Sequence, residues 1–529
     1  MAELNFMTDL IDLRAAESGN KPYIFYEDRT ITFAEYAQGT CRAANGPAGF
    51  GAKAGDGLAI MMGNCPEYLY LFNGLPRIGV YTVPINVSIK GDSLKHNLIH
   101  SDVKFLVVDD TFLPAVLELG RPLGAIEKIF VRQTGAGPVP PDTIPLTRLL
   151  EASSDKPAFQ QQAGAIATIL YTSGTTGLPK GVVTRIRPNT ALGLRMLASM
   201  WVKPDDILYT CLPLFHSNAM QLTAAVALGA GVPFGLEKRF SASRFWEPIR
   251  RWGVTSFNAL GAMIPILMKQ PERPDDADNP VRLVFSAACP SNLWVAFEKR
   301  FNVKIWEGYG AVDGGGVIIM NRGDAPVGSI GKLPPTSEWK LVDDDDNPVP
   351  TGEIGELITK VPEAARAQGR VVEYYKNPEA SDKKVQGGWI RSGDLFYADK
   401  DGNLFFVDRK TDSMRRRGEN ISSWEVENIV EKYPAVAESA AFGVPSELGE
   451  DEVMIWVVPK EGAKLDLKDL MRSCAENMAY FMVPRYVDVV EEIPRTGTHR
   501  VMKGELKKRG VTGRTWDREK EMPDLALKK

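Results

Sequence analysis

Short apolar runs alternate with longer mixed stretches through most of the sequence. The runs are GLAIMM, KFLVVD, KIFV, AIATIL, VTSFNA, RLVFSA and VKIWEGY. Strands that are apolar along their whole length are typical of parallel sheets with helices on both faces. Residues 242–252, where charged and apolar positions mix, are predicted to form one of the helices between strands. The alternation therefore predicts an α/β fold with mostly parallel sheets.

Towards the C-terminus the pattern changes to shorter strands around Gly and Asp turns. GELI, VVEYY and GNLFFVD are predicted strands. The acidic run DDDDNP at 343–348 is predicted to be the exposed tip of a hairpin rather than a metal site. A charged stretch follows Arg409, and a new α/β pattern then continues to the end. Because 529 residues exceed one ordinary core, the sequence predicts two domains, residues 1–409 and 410–529.

Charge and cysteine usage exclude several classes of protein. A net charge of -4 gives no bulk attraction to nucleic acid or to an anionic membrane surface. The five cysteines are scattered and form no CxxC pair, which favours a reducing cytoplasm over a zinc site or a disulfide framework. The N-terminus contains acidic residues and no long apolar core, so it is not expected to be a signal peptide. Residues 217–236 are uncharged, but their glycines and Pro233 favour a buried helix and turn over a membrane span.

A glycine-rich loop with hydroxyl side chains and one lysine follows the run AIATIL. It reads YTSGTTGLPKG at 171–181. Backbone N–H groups of such a loop can bind phosphate, and hydroxyls and a lysine add donors and charge. The loop does not match the GxxxxGK motif followed by Ser or Thr, because Pro179 precedes Lys180 and Gly181 follows it. It therefore indicates a different phosphate loop, and from the loop alone a flexible surface turn stays open.

Taken with other motifs, the loop resembles the phosphate loop of the adenylate-forming enzymes, which include acyl-CoA synthetases, carrier-loading adenylation domains and luciferases. The further segments that resemble this family, in its order, are LPLFH, WEGYGAVDGG, GELI, GGWIRSGD, FVDRK, RRGENIS and VPRYVDVVEEIPRT. The resemblance extends from about residue 20 to 510. It implies an α/β fold with a large N-terminal adenylate-forming domain of mostly parallel sheets, a β-subdomain, and a small mobile α+β C-terminal domain.

The resemblance also implies a reaction. A carboxylate attacks the α-phosphate of ATP to give an acyl-adenylate and pyrophosphate, and the thiol of coenzyme A then displaces AMP. The loop donors would stabilise the charge that moves onto pyrophosphate. The implied cofactors are ATP, Mg²⁺ and coenzyme A, and the implied partner is a small carboxylic acid. Neither nucleic acid nor an integral membrane is expected as a partner, and the sequence leaves open whether the protein is a monomer or a homodimer.

Site residues follow from the resemblance position by position. The residues implied to hold the phosphates are Thr172, Ser173, Gly174, Thr175, Thr176, Gly177 and Lys180. Those implied to line the adenine pocket are Tyr309, which would stack on the base, and Ala288, Cys289, Gly308 and Gly310. Those implied to hold ribose are Asp394 and Arg409, and those implied to meet coenzyme A are Arg415 and Gly418. His216 would lie between the ATP and acid sites. The remaining acid-pocket candidates are Asn218, Asn258, Gly261, Ala262 and Gly314.

Two departures from the family pattern concern catalysis. The family's Tyr-Gly-x-Thr-Glu reads Tyr-Gly-Ala-Val-Asp here, so Val312 lacks the hydroxyl, while Asp313 keeps a shorter carboxylate for Mg²⁺. The family's late catalytic lysine is replaced by Arg500, which keeps the charge in a planar fork. Lys503 lies three residues further on and is the second candidate for this role. A solvated helix lysine is the alternative for Lys503.

The likeness is greatest to the crotonobetaine/carnitine-CoA ligase branch, which also resembles bile-acid CoA ligases. The segments that carry it include FSASRFWEPIRRWGVTSFNALGAMIPILMKQP and AENMAYFMVPRYVDVVEEIPR. Small residues around 261–262 and 314–316 favour a bulky, branched or ring-bearing acid, and no cage for a trimethylammonium group is identifiable. The sequence thus predicts an ATP-dependent acid:CoA ligase. An enzyme that loads a separate carrier protein, or a nucleotide-binding relative without turnover, stays open.

Overall fold

The computed structural model describes residues 4–135, 137–172, 179–260, 263–316, 318–366, 371–410, 414–416, 419–421, 423–446, 451–478, 481–495 and 501–525. The chain divides into two compact units. The first comprises Met1–Gly174, Leu178–Gly328 and Pro362–Val385, and the second comprises Thr175–Gly177, Ser329–Val361 and Gln386–Lys529. The domain division at residues 409–410 that the sequence predicts lies within the second unit and stays a prediction.

The strands, numbered in chain order, are β1 Pro22–Tyr26, β2 Arg29–Thr32, β3 Gly57–Met61, β4 Tyr81–Pro84, β5 Val103–Asp109, β6 Lys128–Arg132, β7 Ile144–Pro145, β8 Ile166–Thr172, β9 Lys180–Arg185, β10 Leu208–Thr210, β11 Phe234–Leu236, β12 Ser256–Leu260, β13 Leu283–Ala287, β14 Lys304–Gly310, β15 Ile318–Asn321, β16 Trp339–Val342, β17 Gly355–Lys360, β18 Val385–Gln386, β19 Trp389–Ala398, β20 Leu404–Arg409, β21 Met414–Arg416, β22 Glu419–Ile421, β23 Val436–Pro445, β24 Asp451–Pro459, β25 Tyr486–Val489 and β26 Trp516–Asp517.

The α-helices are α1 Met7–Ser18, α2 Phe33–Gly49, α3 Pro66–Gly74, α4 Gly91–His100, α5 Leu113–Leu117, α6 Thr147–Leu150, α7 Thr190–Ser199, α8 Val226–Ala230, α9 Trp246–Trp252, α10 Met263–Met268, α11 Ser291–Phe301, α12 Glu363–Arg366, α13 Pro378–Lys384, α14 Ser423–Val430, α15 Leu467–Asn477, α16 Lys503–Arg509 and α17 Arg518–Glu521. Short 3₁₀ helices span Leu75–Ile78 and Ala242–Arg244, and a π-helix spans Asn218–Ala225.

Two large sheets form the first unit. One has the strand order β15-β14-β13-β12-β10-β11-β1-β2, and the other has the order β7-β6-β5-β3-β4-β8-β9. Pairing is parallel in both sheets except at the terminal pairs β1–β2, β14–β15 and β8–β9. The predicted α/β fold with mostly parallel sheets is therefore confirmed.

The apolar strands of the second sheet are buried on both faces. Along β5, Phe105 and Val107 belong to one hydrophobic core, and Leu106 and Val108 belong to another. Side chains of a strand alternate between its two faces. When both faces are buried, both sets of side chains pack in an apolar core and are mostly apolar. This explains why KFLVVD is apolar at its four central positions, 105–108.

Three smaller sheets belong to the second unit. β16, β17, β19 and β20 form an antiparallel sheet with β18 at its edge, β21 pairs with β22, and the order of the third sheet is β23-β24-β25-β26. The predicted strands GELI and GNLFFVD correspond to β17 and β20. The predicted turn at DDDDNP is confirmed, since the backbone N–H of Asp343 donates to the Asn347 carbonyl at 3.0 Å.

The predicted strand VVEYY is wrong. Within this segment only Tyr374 pairs with another strand, in an isolated bridge to Val182 of β9. Val and Tyr favour extended backbone, but a single bridge does not make a ladder. The side chain of Tyr374 has a different role, described below.

The uncharged segment 217–236 forms buried helix and turn up to residue 233, as predicted, and its last three residues form β11. The π-helix Asn218–Ala225 continues into α8, and Gly231 ends α8 in the left-handed conformation at φ 74°. Most of these residues are buried in the first unit. In the described part of the chain, no helix has the length and apolar character needed to cross a bilayer.

Candidate active site

The two ends of the glycine-rich loop meet across an antiparallel hairpin. β8 and β9 pair so that Thr172 lies opposite Lys180, and the Thr172 hydroxyl donates to the Lys180 carbonyl at 3.4 Å. Hairpin pairing thus brings together two of the predicted phosphate-binding residues at the edge of the second sheet. The other predicted members, Ser173, Gly174, Thr175, Thr176 and Gly177, lie outside the described residues.

Tyr374 connects the loop lysine to the predicted metal carboxylate. The Nζ atom of Lys180 lies 5.4 Å from the centroid of the Tyr374 ring. The Tyr374 hydroxyl donates to Oδ2 of Asp313 at 2.5 Å. An ammonium over an aromatic face is attracted by the ring quadrupole. Lys180 and Asp313, which are far apart in sequence, therefore contact the same tyrosine, one at its ring and the other at its hydroxyl.

Asp313 is the centre of a small charged cluster. Nζ of Lys384 lies 3.2 Å from Oδ2 of Asp313. Burial acts to raise the pKa of Asp313, but the charge of Lys384 and the hydrogen bond from Tyr374 outweigh it and hold the pKa below its ordinary value. The carboxylate is therefore ionised at neutral pH. Val312, the neighbour that lacks the family hydroxyl, is exposed.

A buried glutamate organises the predicted adenine-binding segment. Oε1 of Glu307 accepts the backbone N–H of Ala288 at 2.5 Å, and both of its carboxylate oxygens accept that of Cys289 at 3.2 Å. Burial is the main effect on the Glu307 pKa and raises it to about 7. Ala288 has a left-handed backbone with φ 67°. Glu307 thus fixes a strained turn at the end of β13.

The backbone of Ala288 leads to a prediction about stability. A residue with a Cβ costs about 1–2 kcal/mol in the left-handed region, whereas glycine adopts it freely. We expect Ala288→Gly to raise the free energy of unfolding by up to about 1 kcal/mol, measured by urea denaturation. Ala287→Gly, in the extended backbone of β13, is the matched control and should lower the free energy of unfolding by about 0.5–1 kcal/mol. A loss of stability in both variants would contradict the assignment.

Tyr309 lies on β14 between two glycines with different environments. It is half-buried and pairs with Ile319 of β15. Gly308 is buried, and a Cβ there would lie 2.6 Å from Cζ of Phe285. Gly310 is exposed. Glycine at 308 therefore lets the Phe285 ring pack against the strand that carries Tyr309.

His216 presents a shielded polar atom. Its Nε2 atom is inaccessible to solvent and has no hydrogen-bond partner within the described ranges. Its ring lies 4.6 Å from that of Phe215, centroid to centroid. Burial lowers the pKa of His216 to about 4, so the imidazole is neutral at pH 7. An unpaired buried polar atom calls for an explanation, and a ligand atom at this position would satisfy it.

The depressed pKa of His216 predicts a loss of stability in mild acid. Below pH 6.5 the unfolded chain takes up a proton at this site that the folded chain binds only near pH 4. The free energy of unfolding should therefore fall by about 2 kcal/mol at this one site between pH 7 and pH 5. Urea denaturation of wild type and His216→Asn at both pH values isolates this contribution. The same pH dependence in the two proteins would show that His216 does not titrate in this way.

Two predicted acid-pocket asparagines contact each other at the π-helix. Nδ2 of Asn258 donates to Oδ1 of Asn218 at 2.9 Å and to Oγ1 of Thr223 at 3.0 Å. Thr223 was not predicted. Both hydrogens of the Asn258 amide are engaged, so Asn258 orients Asn218. Gly314 lies in the turn that carries Asp313, and Gly261 and Ala262 lie outside the described residues.

In the second unit, the predicted ribose-binding residues are cross-strand neighbours. Asp394 of β19 lies opposite Arg409 of β20, and Oδ1 of Asp394 is 3.7 Å from Nε of Arg409. Asp394 is buried to 7% exposure. The backbone N–H of Asp394 donates to Oγ of Ser392 at 3.0 Å. The register of this ladder therefore brings an anionic and a cationic group together.

Lys503 is part of a polar network in the second unit. Its Nζ lies 2.8 Å from Oε1 of Glu427 and also donates to Oγ of Ser423. The Lys503 side chain is 12% exposed. The alternative of a solvated helix lysine is therefore wrong, because this side chain is largely buried in an ion pair. A catalytic role of Lys503 stays a prediction. Arg500 lies outside the described residues.

The arginine run at 415–417 has a buried member. Nη2 of Arg416 lies 2.7 Å from Oε2 of Glu452, and its Nη1 donates to the carbonyls of Phe481 and Val483 at 3.1 and 3.0 Å. Arg416 is therefore a structural residue. The backbone of Arg415 is part of β21, and Gly418 lies outside the described residues.

Besides Thr223, sequence reasoning missed Tyr374, Glu307 and Lys384. Glu307 carried a signal, because a carboxylate in an apolar strand two positions before Tyr309 must find partners when it is buried. Tyr374 was assigned to a strand, and Lys384 gave no local signal.

Comparison with known proteins places these observations in a family. A model of the AMP-binding enzyme matches residues 11–367, and a model of the AMP-binding enzyme C-terminal domain matches residues 425–500. The chain is 31% identical over 513 residues to a crotonobetaine/carnitine–CoA ligase of Salmonella paratyphi B, an alignment that covers 92% of this chain and 96% of that protein.

Solved structures give the same result for the fold. The anthranilate CoA ligase AuaEII in complex with anthranoyl-AMP superposes with a TM-score of 0.83 at 26% identity, covering 95% of this chain and 97% of the other. The o-succinylbenzoate coenzyme A synthetase of Bacillus subtilis in complex with AMP superposes with a TM-score of 0.78 at 25% identity, covering 94% and 98%. The chain therefore has the fold of these proteins over nearly its whole length.

Proposed function

Because the chain belongs to the AMP-binding enzyme family, we propose that it activates a carboxylic acid with ATP and transfers the acyl group to coenzyme A. The protein is an ATP-dependent acid:CoA ligase, which releases pyrophosphate and AMP. The observation that carries the proposal is the contact of one tyrosine, Tyr374, with both Lys180 and Asp313. A cation beside a carboxylate at the end of a glycine-rich loop suits a triphosphate and its metal.

The first step places negative charge on the leaving pyrophosphate. The acid's carboxylate oxygen forms a bond to the α-phosphorus, and the bond from that phosphorus to the bridging oxygen of pyrophosphate breaks. The ammonium of Lys180 and the loop donors stabilise the charge that moves onto pyrophosphate. The resemblance assigns adenine to Tyr309, the ribose hydroxyls to Asp394 and the catalytic positive charge to Arg500.

Asp313 suits Mg²⁺ by its chemistry. Mg²⁺ is commonly held by one or two carboxylates together with substrate phosphates. The ionised Asp313 would supply the carboxylate, and the phosphates of ATP would supply further oxygens. Among the residues that the structure describes, no cluster of three or more His, Cys, Asp or Glu side chains could hold a metal by itself. Bound there, the ion would neutralise phosphate charge.

The second step transfers the acyl group to sulfur. The thiol of coenzyme A attacks the carbonyl carbon of the acyl-adenylate, and the bond from that carbon to the AMP oxygen breaks. Arg415 and Gly418 are the residues proposed to meet coenzyme A, since arginine binds phosphate well. Mobility of the C-terminal domain between the two steps, a cytoplasmic location and a homodimer are further parts of the proposal.

The acid is proposed to be bulky, branched or ring-bearing. Two of the similar structures bear the names of anthranilate and o-succinylbenzoate ligases, whose acids carry an aromatic ring. Small residues around Gly314 would leave room for a ring, and the unpaired Nε2 of His216 would face a polar group of the acid.

A panel of carboxylic acids tests this proposal. Acid-dependent pyrophosphate release would be measured with ATP, Mg²⁺ and coenzyme A for acetate, butyrate, branched, aromatic, steroidal and betaine acids. We expect kcat/KM for the preferred ring-bearing or branched acid to exceed that for acetate by about 10²-fold or more, since each buried CH₂ adds about 0.8 kcal/mol. Higher kcat/KM for acetate and butyrate would rule out a large acid pocket.

A further inference from the structure

Two adjacent lysines at the end of α13 have very different surroundings. Lys383 is 72% exposed and pairs with Glu379 of the same helix, one turn earlier. Lys384 is 13% exposed and lies 3.2 Å from Oδ2 of Asp313. The chain therefore directs one of two neighbouring ammonium groups to the carboxylate proposed to bind Mg²⁺.

In this arrangement the Lys384 ammonium and a metal ion would compete for the same carboxylate, that of Asp313. Oδ2 of Asp313 already meets the Lys384 ammonium and the Tyr374 hydroxyl. A divalent cation at the same carboxylate would be repelled by a positive charge so close to it. A triphosphate beside Asp313, by contrast, would be attracted by that charge. At the partly buried site both effects are stronger than in bulk water.

We propose that Lys384 is an ATP-binding residue that carries part of the positive charge otherwise supplied by Mg²⁺ at Asp313. The inference rests on the proposed function, since it assumes that ATP binds beside Asp313. With a permanent positive charge at this position, the protein retains ATP without a divalent cation and binds the divalent cation itself less tightly. Asp313, the ion-pair partner of Lys384, directly follows Val312, where the family has a hydroxyl donor.

Binding measurements separate the two effects of Lys384. The dissociation constant of ATP would be measured by calorimetry in EDTA and in saturating Mg²⁺. Binding of Mn²⁺ would be followed by electron paramagnetic resonance in the presence of a non-hydrolysable ATP analogue. The variants are Lys384→Met, the charge-conserving Lys384→Arg, and the matched control Lys383→Met on the same helix.

We expect Lys384→Met to weaken ATP binding in EDTA by about tenfold or more, and to tighten Mn²⁺ binding by a similar factor. Lys384→Arg should restore metal-free ATP binding, and Lys383→Met should behave as wild type. Tighter Mn²⁺ binding is a gain that a misfolded variant would not show. Unchanged binding of both ligands to Lys384→Met, or the same loss in Lys383→Met, would overturn the inference. Failure of wild type to bind ATP under either condition would instead contradict the proposed function.

Discussion

Replacing Lys180 with methionine should lower the rate of acid-dependent pyrophosphate release by about 10²–10³. The ammonium of Lys180 lies at the end of the glycine-rich loop, over the ring of Tyr374. Methionine keeps the length and apolar stem of the side chain and removes the charge. Because the charge develops on pyrophosphate in the transition state, the loss should appear mainly in kcat. The measurement is steady-state pyrophosphate release at saturating ATP and acid.

The chain offers a matched control for Lys180. Nζ of Lys376 lies 5.3 Å from the ring centroid of Tyr375, the neighbour of Tyr374, and 2.6 Å from Oδ2 of Asp102. Lys376→Met therefore removes an ammonium from a similar tyrosine without removing one from the proposed phosphate site. Its kcat should stay within about twofold of wild type, because surface ion pairs contribute little. A small effect of Lys180→Met, or equal effects of the two variants, would contradict the role of Lys180.

Substitution of Arg500 should lower the rate of pyrophosphate release, whereas substitution of Lys503 should lower the free energy of unfolding. Arg500→Ala is expected to lower pyrophosphate release by about 10²–10³ with little change in stability, since it removes a donor aligned with the family lysine. Lys503→Met is expected to lower the free energy of unfolding by about 3 kcal/mol, because it leaves Glu427 without its close, largely buried cation. Burial already raises the pKa of Glu427, so its charge is costly there.

Pre-steady-state pyrophosphate release and urea denaturation distinguish the two effects. Arg500→Lys, which restores the family residue, should recover most of the rate lost in Arg500→Ala. Lys503→Arg should recover most of the stability. If Arg500→Ala releases pyrophosphate at the wild-type rate while folded Lys503→Met does not, the assignment of the two residues is reversed.

The parallel sheets could be predicted because burial of a strand on both faces produces a run of consecutive apolar residues in the sequence. Phe105, Leu106, Val107 and Val108 are all buried, although neighbours face different cores. The central positions of such a strand are apolar because both faces are covered, and the run of apolar residues is visible in the sequence alone.

Tyr374 could not be predicted, because its partner lies 61 residues away in sequence. Its neighbours Val372 and Tyr375 favour extended backbone and gave a strand pattern. The position of Tyr374 is set by the hydrogen bond that its hydroxyl donates to Asp313. The periodicity of the local sequence carries no information about such a contact. Lys384 was missed for the same reason, because its contact with Asp313 is also distant in sequence. In the sequence it looks no different from Lys383, the exposed lysine that precedes it on the same helix.

Arg416 shows how a charge pattern can mislead. The three consecutive arginines at 415–417 look alike in the sequence, but successive side chains of a strand point to opposite faces. The side chain of Arg416 points to the interior, where it forms an ion pair with Glu452 and donates hydrogen bonds to two carbonyl groups. The partner glutamate lies on β24, and only the tertiary structure brings it there.

The central claim is that this protein couples ATP cleavage to formation of an acyl-CoA. The most direct measurement is quantification of acyl-CoA, AMP and pyrophosphate from one reaction with ATP, Mg²⁺, coenzyme A and the preferred acid of the panel. The account predicts the three products in equal amounts, and no pyrophosphate without the acid. Acid-dependent pyrophosphate without acyl-CoA would point to a carrier protein as the acceptor, and binding of ATP without pyrophosphate under any condition would contradict the account.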